Sequence, residues 1–258
     1  HPEMAAETFE MLFAQSPDHP LAAAAVTWLV QYYASGEAQW RAAREQTMSS
    51  AAGATLAIDA SRQEDRLAKA AEWGKRLERT QPQMLVRPEI GFPLAAADRR
   101  RGFPKQAERF YLGRRHQATR DAWWAAAEGE AWLLEPKGLP PKPVLHCARA
   151  DSRPTLDGSL DEPFWKNAKE AVLAPEDGQE DAHKGTVRLA YDAKFLYLAV
   201  ECERPQGRPA TPIPESPRPR DGDLSGYDRV SLYFDLDRDY ATHYRFTVDE
   251  RGWTGESC

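Results

Sequence analysis

Apolar side chains recur every three or four positions through much of the first half of the chain, which is the spacing of an amphipathic helix. After Asp18-His19-Pro20, a sequence typical of helix starts, one such run extends from Leu21 to Tyr32 and ends at Ser35-Gly36. Two further runs cover residues 62–79 and 116–134. The pattern predicts three amphipathic helices.

Four prolines separate the second run from the third: Pro82, Pro88, Pro93 and Pro104. Because proline lacks a backbone donor and breaks a helix, we expect residues 81–104 to be a connecting region. Consecutive helices with short breaks are typical of stacked helical hairpins. Residues 1–138 are therefore predicted to form a solenoid-like α-helical domain.

The period of the pattern changes to two in the second half of the chain, as in half-buried β-strands. Alternation covers residues 186–191, where a hairpin follows, and it returns in residues 230–235 and 244–249. The proline-rich stretch 139–149 is expected to be a linker that leads into a first strand. Residues 150–258 are predicted to form an antiparallel β-sandwich.

Composition and charge narrow the class of protein. The 258 residues carry 34 basic and 40 acidic side chains, and the acidic excess lies after residue 142. This disfavours nucleic acid as a partner, because phosphate binding needs lysine and arginine contacts. No run of residues approaches the ~18 to 20 apolar positions of a membrane helix. Residues 205–219 contain six prolines and no periodicity, so a long surface loop is expected there.

Three widely spaced cysteines, Cys147, Cys202 and Cys258, form no CxxC pair and indicate no zinc site. A disulfide between two of them and buried free thiols are both open interpretations. The six histidines lie in no nucleophile motif, and there is no GxSxG sequence or isolated carboxylate pair. All four methionines lie in the helical half, which excludes a methionine-ligated haem in the β-rich half. The chain is therefore not expected to be an enzyme.

The most distinctive local motif is LDGSLDEPFW, residues 156–165, which combines a turn at Asp157-Gly158 with a helix start that buries Phe164 and Trp165. The blocks TVRLAYDAKFLYLAVECE, DRVSLYFDLDRD and YRFTVDERGW follow it in that order. Over residues 143–258 these four blocks resemble carbohydrate-binding module family 9, a β-sandwich often attached to xylanases and other polysaccharide-degrading enzymes. The resemblance implies non-catalytic binding of a polysaccharide or oligosaccharide, and it favours an extracellular or periplasmic location.

The resemblance also implies where sugar is held. Pyranose rings stack their C–H faces on aromatic side chains, and their hydroxyls bind charged or amide groups. Arg245 stands where the family often has a sugar-contacting basic residue, and Tyr227 is the aromatic side chain near the expected stacking position. Trp253, in a glycine-flanked turn, is a further candidate platform. The candidate carbohydrate-binding residues are thus Tyr227, Arg245 and Trp253.

Two departures from the family pattern support an alternative function. Ser231 stands where the family has a glutamate, and no tryptophan precedes Asp228. Residues 22–43, AAAAVTWLVQYYASGEAQWRAA, resemble one tetratricopeptide unit, which implies protein docking. The alternative is a helical protein-interaction scaffold whose sandwich has lost sugar binding, although a helical spacer with an aromatic core fits the same residues.

Closely spaced aspartates follow the strand at residues 230–234. Calcium takes six to eight oxygen ligands, so Asp235, Asp237 and Asp239 are candidate calcium ligands, with solvated loop carboxylates as the alternative. An EF-hand is excluded, because Tyr240 stands where that loop requires glycine. Since the chain begins at His1 and stops after few strands, we expect it to be part of a longer protein with an incomplete sandwich.

Overall fold

A computed structural model describes residues 2–38, 60–173, 185–203, 207 and 222–257. Apart from Gly207, the predicted proline-rich loop at residues 205–219 lies outside the described residues, as does Cys258. Cys147 and Cys202 are free thiols. Within the described ranges, no helix combines the length and the apolar composition needed to cross a membrane.

The first half of the chain is helical. Its helices are α1 (Pro2–Gln15), α2 (Ala22–Ala34), α3 (Ala60–Thr80), α4 (Pro88–Arg100), α5 (Pro104–Arg115) and α6 (Ala122–Leu134). The three predicted helices correspond to α2, α3 and α6, and Asp121 caps α6 by accepting the Trp124 N–H at 2.8 Å. Buried side chains form one cluster around α2 and a second cluster among α4, α5 and α6.

Helix α4 shows that the expected connecting region at residues 81–104 is wrong. Pro88 begins the helix, where its missing N–H has no partner to lose. Pro93 lies inside the helix and leaves the Glu89 carbonyl without its usual donor. The Gln31 amide of α2 donates to that carbonyl at 3.1 Å and so replaces the lost hydrogen bond. A hydrogen bond from a neighbouring helix therefore compensates for a proline inside α4, a position that local sequence rules disfavour.

The second half forms two sheets. The first sheet contains β1 (Ala148–Arg149), β2 (Ala171–Leu173), β3 (Gly185–Tyr191) and β4 (Leu196–Cys202). The second contains β5 (Arg229–Phe234), β6 (Tyr244–Asp249) and β7 (Thr254–Ser257). The predicted hairpin and the two later strands are confirmed as β3–β4, β5 and β6.

The first sheet mixes strand directions, because β1 is parallel to β3 whereas β2 and β4 are antiparallel to it. Its covered face packs on a short 3-10 turn, Pro163–Lys166, which buries Phe164 and Trp165 as the sequence predicts. Among the described residues, no buried apolar cluster contains side chains from both sheets. The structure thus shows a mixed α and β protein. The solenoid-like arrangement of the helices and the incomplete antiparallel β-sandwich stay predictions.

The connection between β5 and β6, residues 235–243, packs against the helical half and is called the β5–β6 loop below. The Tyr240 ring lies 4.7 Å from that of Phe92 in α4, and its hydroxyl donates to Glu130 of α6 at 3.2 Å. Asp237 accepts a hydrogen bond from Arg100 of α4 at 2.9 Å. These contacts join the second sheet to the helices.

Candidate functional site

One face of the second sheet is polar along its whole length. Side chains alternate along β6, so Arg245, Thr247 and Asp249 share a face, and their partners on β5 lie beside them. We call this the polar face; its members are Arg229, Ser231, Tyr233, Arg245, Thr247 and Asp249. At its centre the hydroxyls of Ser231 and Thr247 are hydrogen-bonded at 3.0 Å. Ser231 is therefore part of a hydroxyl pair.

An arginine lies against two aromatic rings at one end of the polar face. The Arg251 guanidinium carbon is 3.2 Å from the centre of the Tyr227 ring and 4.0 Å from that of Trp253. Distances this short are typical of cation–π contacts. These three residues form what we call the aromatic–arginine stack. It brings together two of the three predicted carbohydrate-binding residues.

Asp249 holds the stack in place. Its Oδ1 accepts the backbone N–H groups of Arg251 and Trp253, at 2.9 and 3.0 Å, in a turn that Gly252 completes with φ of 77°. Its Oδ2 accepts two bonds from the Arg251 guanidinium, at 2.8 and 2.6 Å. The turn thus fixes both the backbone and the side chain of Arg251.

The ionisation of Asp249 supports this role. Burial acts to raise the pKa of Asp249, but the hydrogen bonds from Arg251 and Trp253 outweigh burial and hold the pKa below its ordinary value. The side chains of Asp249 and Arg251 are only 0% and 5% exposed. The two groups therefore form a buried ion pair that persists through neutral pH.

A cavity of about 300 Å³ opens on the same side of the sheet. Arg229, Arg245 and Thr247 line it from the polar face, and Gly255 of β7 adds a position without a side chain. The Arg229 guanidinium is held by the Ser225 carbonyl at 2.9 Å. Since Arg245 and Asp249 are four residues apart on β6, Arg245 lies roughly 13 Å from the stack along the strand.

The three predicted carbohydrate-binding residues therefore lie on one side of one sheet. Sequence reasoning missed Asp249, Arg251 and Arg229, although the turn sequence DERGW offered a signal. In Asp249-Glu250-Arg251-Gly252, the aspartate side chain can accept the backbone N–H of the residue two positions later, and the glycine can take the positive φ that such a turn requires. What the sequence did not indicate is that Arg251 occupies one side of each ring.

The predicted calcium ligands Asp235, Asp237 and Asp239 lie together in the β5–β6 loop, and each binds protein groups. Asp235 accepts the Asp239 and Tyr240 N–H groups at 3.1 and 2.8 Å, and Asp239 accepts those of Ala241 and Thr242. Asp239 is fully buried, so solvated carboxylates do not describe this loop. Within the described ranges, no group of three or more His, Cys, Asp or Glu is arranged to hold a metal. Calcium binding stays a prediction.

A buried glutamate of the helical half contacts the same loop. Glu37 is 2% exposed and accepts the Leu236 N–H at 3.0 Å. Its other oxygen lies 3.4 Å from the Thr242 hydroxyl, which donates to it. Burial, together with the negative charge of Asp237, raises the pKa of Glu37 to about 7. The contact between helices and loop therefore includes a carboxyl that titrates near neutral pH.

We expect the protein to lose stability as pH rises from 5.5 to 8. A carboxyl whose folded pKa exceeds its unfolded value binds more protons when folded, so stability falls through that window. For Glu37 the shift in pKa from 4.5 to about 7 corresponds to about 3 kcal/mol in total, of which about 2 kcal/mol is lost above pH 5.5. Glu37→Gln, which imitates the protonated form, should flatten the dependence measured by urea denaturation. Burial also raises the pKa values of Asp239 and Glu130, so the result is the change in slope between the variant and the wild type.

The control for this prediction is Glu89→Gln, because Glu89 forms an exposed contact with Arg87 at 4.0 Å. Equal pH dependence in the wild type and in Glu37→Gln would contradict the assignment to Glu37.

The helical half contains a separate groove of about 500 Å³ between α3, α4 and α5. Gly74 and Leu94 lie at its base, and charged side chains of both signs, including Lys75, Asp98 and Arg109, line it. A groove with apolar and charged parts is suited to an extended peptide.

No family model, no curated protein and no solved structure matches this chain. The resemblances to family 9 carbohydrate-binding modules and to a tetratricopeptide unit therefore rest on the sequence motifs alone.

Proposed function

We propose that this chain is a non-catalytic carbohydrate-binding protein and that the sugar binds along the polar face of the β5–β7 sheet. The observation that carries the proposal is the position of Tyr227, Arg245 and Trp253. Arg245 lines the cavity on the polar face. Tyr227 and Trp253 form the aromatic–arginine stack with Arg251 at one end of the same face. The parent protein would take part in the breakdown of xylan-type polysaccharides.

The chemistry of the face suits a pyranose. Arg251 holds the rings of Tyr227 and Trp253 in one orientation, so binding costs little side-chain entropy. The ring sides turned away from Arg251 are the proposed stacking surfaces for sugar C–H groups. Arg245 and the hydroxyl pair of Ser231 and Thr247 supply polar partners for sugar hydroxyls. The charged and aromatic parts lie close enough for one short oligosaccharide to contact both.

A specific observation also favours the helical scaffold as a second candidate function. The groove between α3, α4 and α5 is larger than the cavity on the polar face. An extended peptide bound there would make the helical half a protein-docking domain.

Calorimetry with xylose and glucose oligomers tests the carbohydrate proposal. We expect the wild type to bind at least one of them and Trp253→Ala to bind at least tenfold more weakly, which corresponds to about 1.4 kcal/mol. The matched control is Trp124→Ala, because Arg120 also lies over that ring, at 5.1 Å, but in the helical half. Equal affinity of Trp253→Ala and wild type, or no heat with any sugar at millimolar concentration, would reject the proposal.

A further inference from the structure

The cavity on the polar face is lined by two arginines as well as by two carboxylates. Arg229 and Arg245 lie on neighbouring strands with side chains on the same side of the sheet. Both line the cavity of about 300 Å³. The second half of the chain is acidic, so two arginines facing one cavity are notable there.

The donors of these arginines are only partly used. The Nε of Arg245 is buried and has no hydrogen-bond partner among the described residues. Arg229 donates from Nη1 to the Leu224 and Ser225 carbonyls, at 3.4 and 2.9 Å. A buried donor without an acceptor is costly, and a ligand that supplies the acceptor removes that cost.

We propose that the sugar bound at this face carries a carboxylate, as a uronic acid does, and that Arg229 and Arg245 bind it. This inference rests on the proposed function and adds the class of sugar. A guanidinium presents paired N–H donors in a plane, which matches the two oxygens of a carboxylate. A neutral hydroxyl provides one acceptor atom and leaves part of that donor set unused.

The rest of the cavity distinguishes a sugar acid from a simple anion. Asp223 and Glu256 also line it, and their carboxylates disfavour a compact multiply charged ion such as phosphate. The same oxygens accept hydrogen bonds from sugar hydroxyls. The cavity volume lies at the lower end of ligand sites, which suits one sugar unit. A ring with one carboxylate and several hydroxyls satisfies both sets of groups.

The test compares matched pairs of sugars with the full chain. Calorimetric titrations would use glucuronate against glucose and galacturonate against galactose, with acetate and inorganic phosphate as simple anions. We expect at least one uronate to bind tenfold or more tightly than its neutral counterpart, and the difference to shrink at high salt. Arg245→Gln and Arg229→Gln should each remove the preference for the uronate. Arg120→Gln, which changes an arginine of the helical half, should keep it.

The results of these titrations can reject this inference without rejecting the proposed function. Neutral sugars that bind as tightly as uronates would overturn the inference and leave carbohydrate binding intact. No binding of any sugar would overturn both. If acetate or phosphate binds as tightly as the uronates, the site binds anions without recognising the sugar ring, and this too would overturn the inference. Because the first comparison uses only the wild type, the test holds even if a variant fails to fold.

Discussion

Asp249→Ala is expected to lower the free energy of unfolding by about 3 to 5 kcal/mol, because removing one member of a buried ion pair leaves the other charge without a partner. Arg251 would lose the acceptor of both its side-chain hydrogen bonds, and the Arg251 and Trp253 N–H groups would lose the acceptor that holds the turn. Urea denaturation at pH 7 measures the loss. Sugar affinity should fall with it, since the stack would no longer be held.

Asp157→Ala is the matched control for that experiment. Asp157 also accepts an N–H two residues ahead, from Ser159 at 2.8 Å, but it is exposed and binds no arginine among the described residues. Its loss should cost less than about 1 kcal/mol. A cost for Asp249→Ala no larger than that of the control would show that the buried pair does not support the site.

The second large effect is expected from Glu130→Ala, at about 3 to 5 kcal/mol of unfolding free energy. The Glu130 side chain is 1% exposed and joins α6 to both α4 and the β5–β6 loop. It accepts a bond from Arg99 at 2.8 Å and one from the Tyr240 hydroxyl at 3.2 Å. Arg238 lies within 3.6 Å of it. Without Glu130, Arg99 and Arg238 repel each other at the contact between the two halves.

Strain in the loop strengthens this prediction. Arg238 and Tyr240 have φ of 54° and 60°, a left-handed conformation that side chains other than glycine rarely adopt. Contacts with the helices hold the loop in this form, so Glu130→Ala should also speed proteolysis within residues 235–243. The control is Glu128→Ala on the same helix, which removes a more exposed ion pair with Arg115 and should cost about 1 kcal/mol or less. Equal stability of the two variants would contradict the role of Glu130.

The local pattern of apolar and polar residues was sufficient to predict elements that are covered on one face only. The alternation in residues 230–235 and 244–249 predicts β5 and β6, and the turn before Phe164 and Trp165 predicts a buried plug. It failed at α4, where a hydrogen bond from Gln31 compensates for Pro93. That bond joins residues 58 positions apart, and no local rule contains it.

The candidate site was predictable in part for the same reason. Arg245 and Trp253 lie in one continuous motif, so their proximity follows from a strand and a turn. The contact of Arg251 with Tyr227 depends on the pairing of β5 with β6, and the binding of Asp237 by Arg100 depends on the docking of a loop on helices. Carboxylates that suggested calcium in the sequence thus have protein partners that only the tertiary structure reveals.

The central claim is that sugar binds on the polar face and not in the helical groove. The most direct measurement is a titration of isotope-labelled protein with xylose and glucose oligomers, and with uronates, followed by amide and indole NMR shifts. We expect the shifts to concentrate at Tyr227 to Ser231 and at Arg245 to Gly255 and to include the Trp253 indole N–H. Shifts confined to α3, α4 and α5, or none with any sugar, would contradict it.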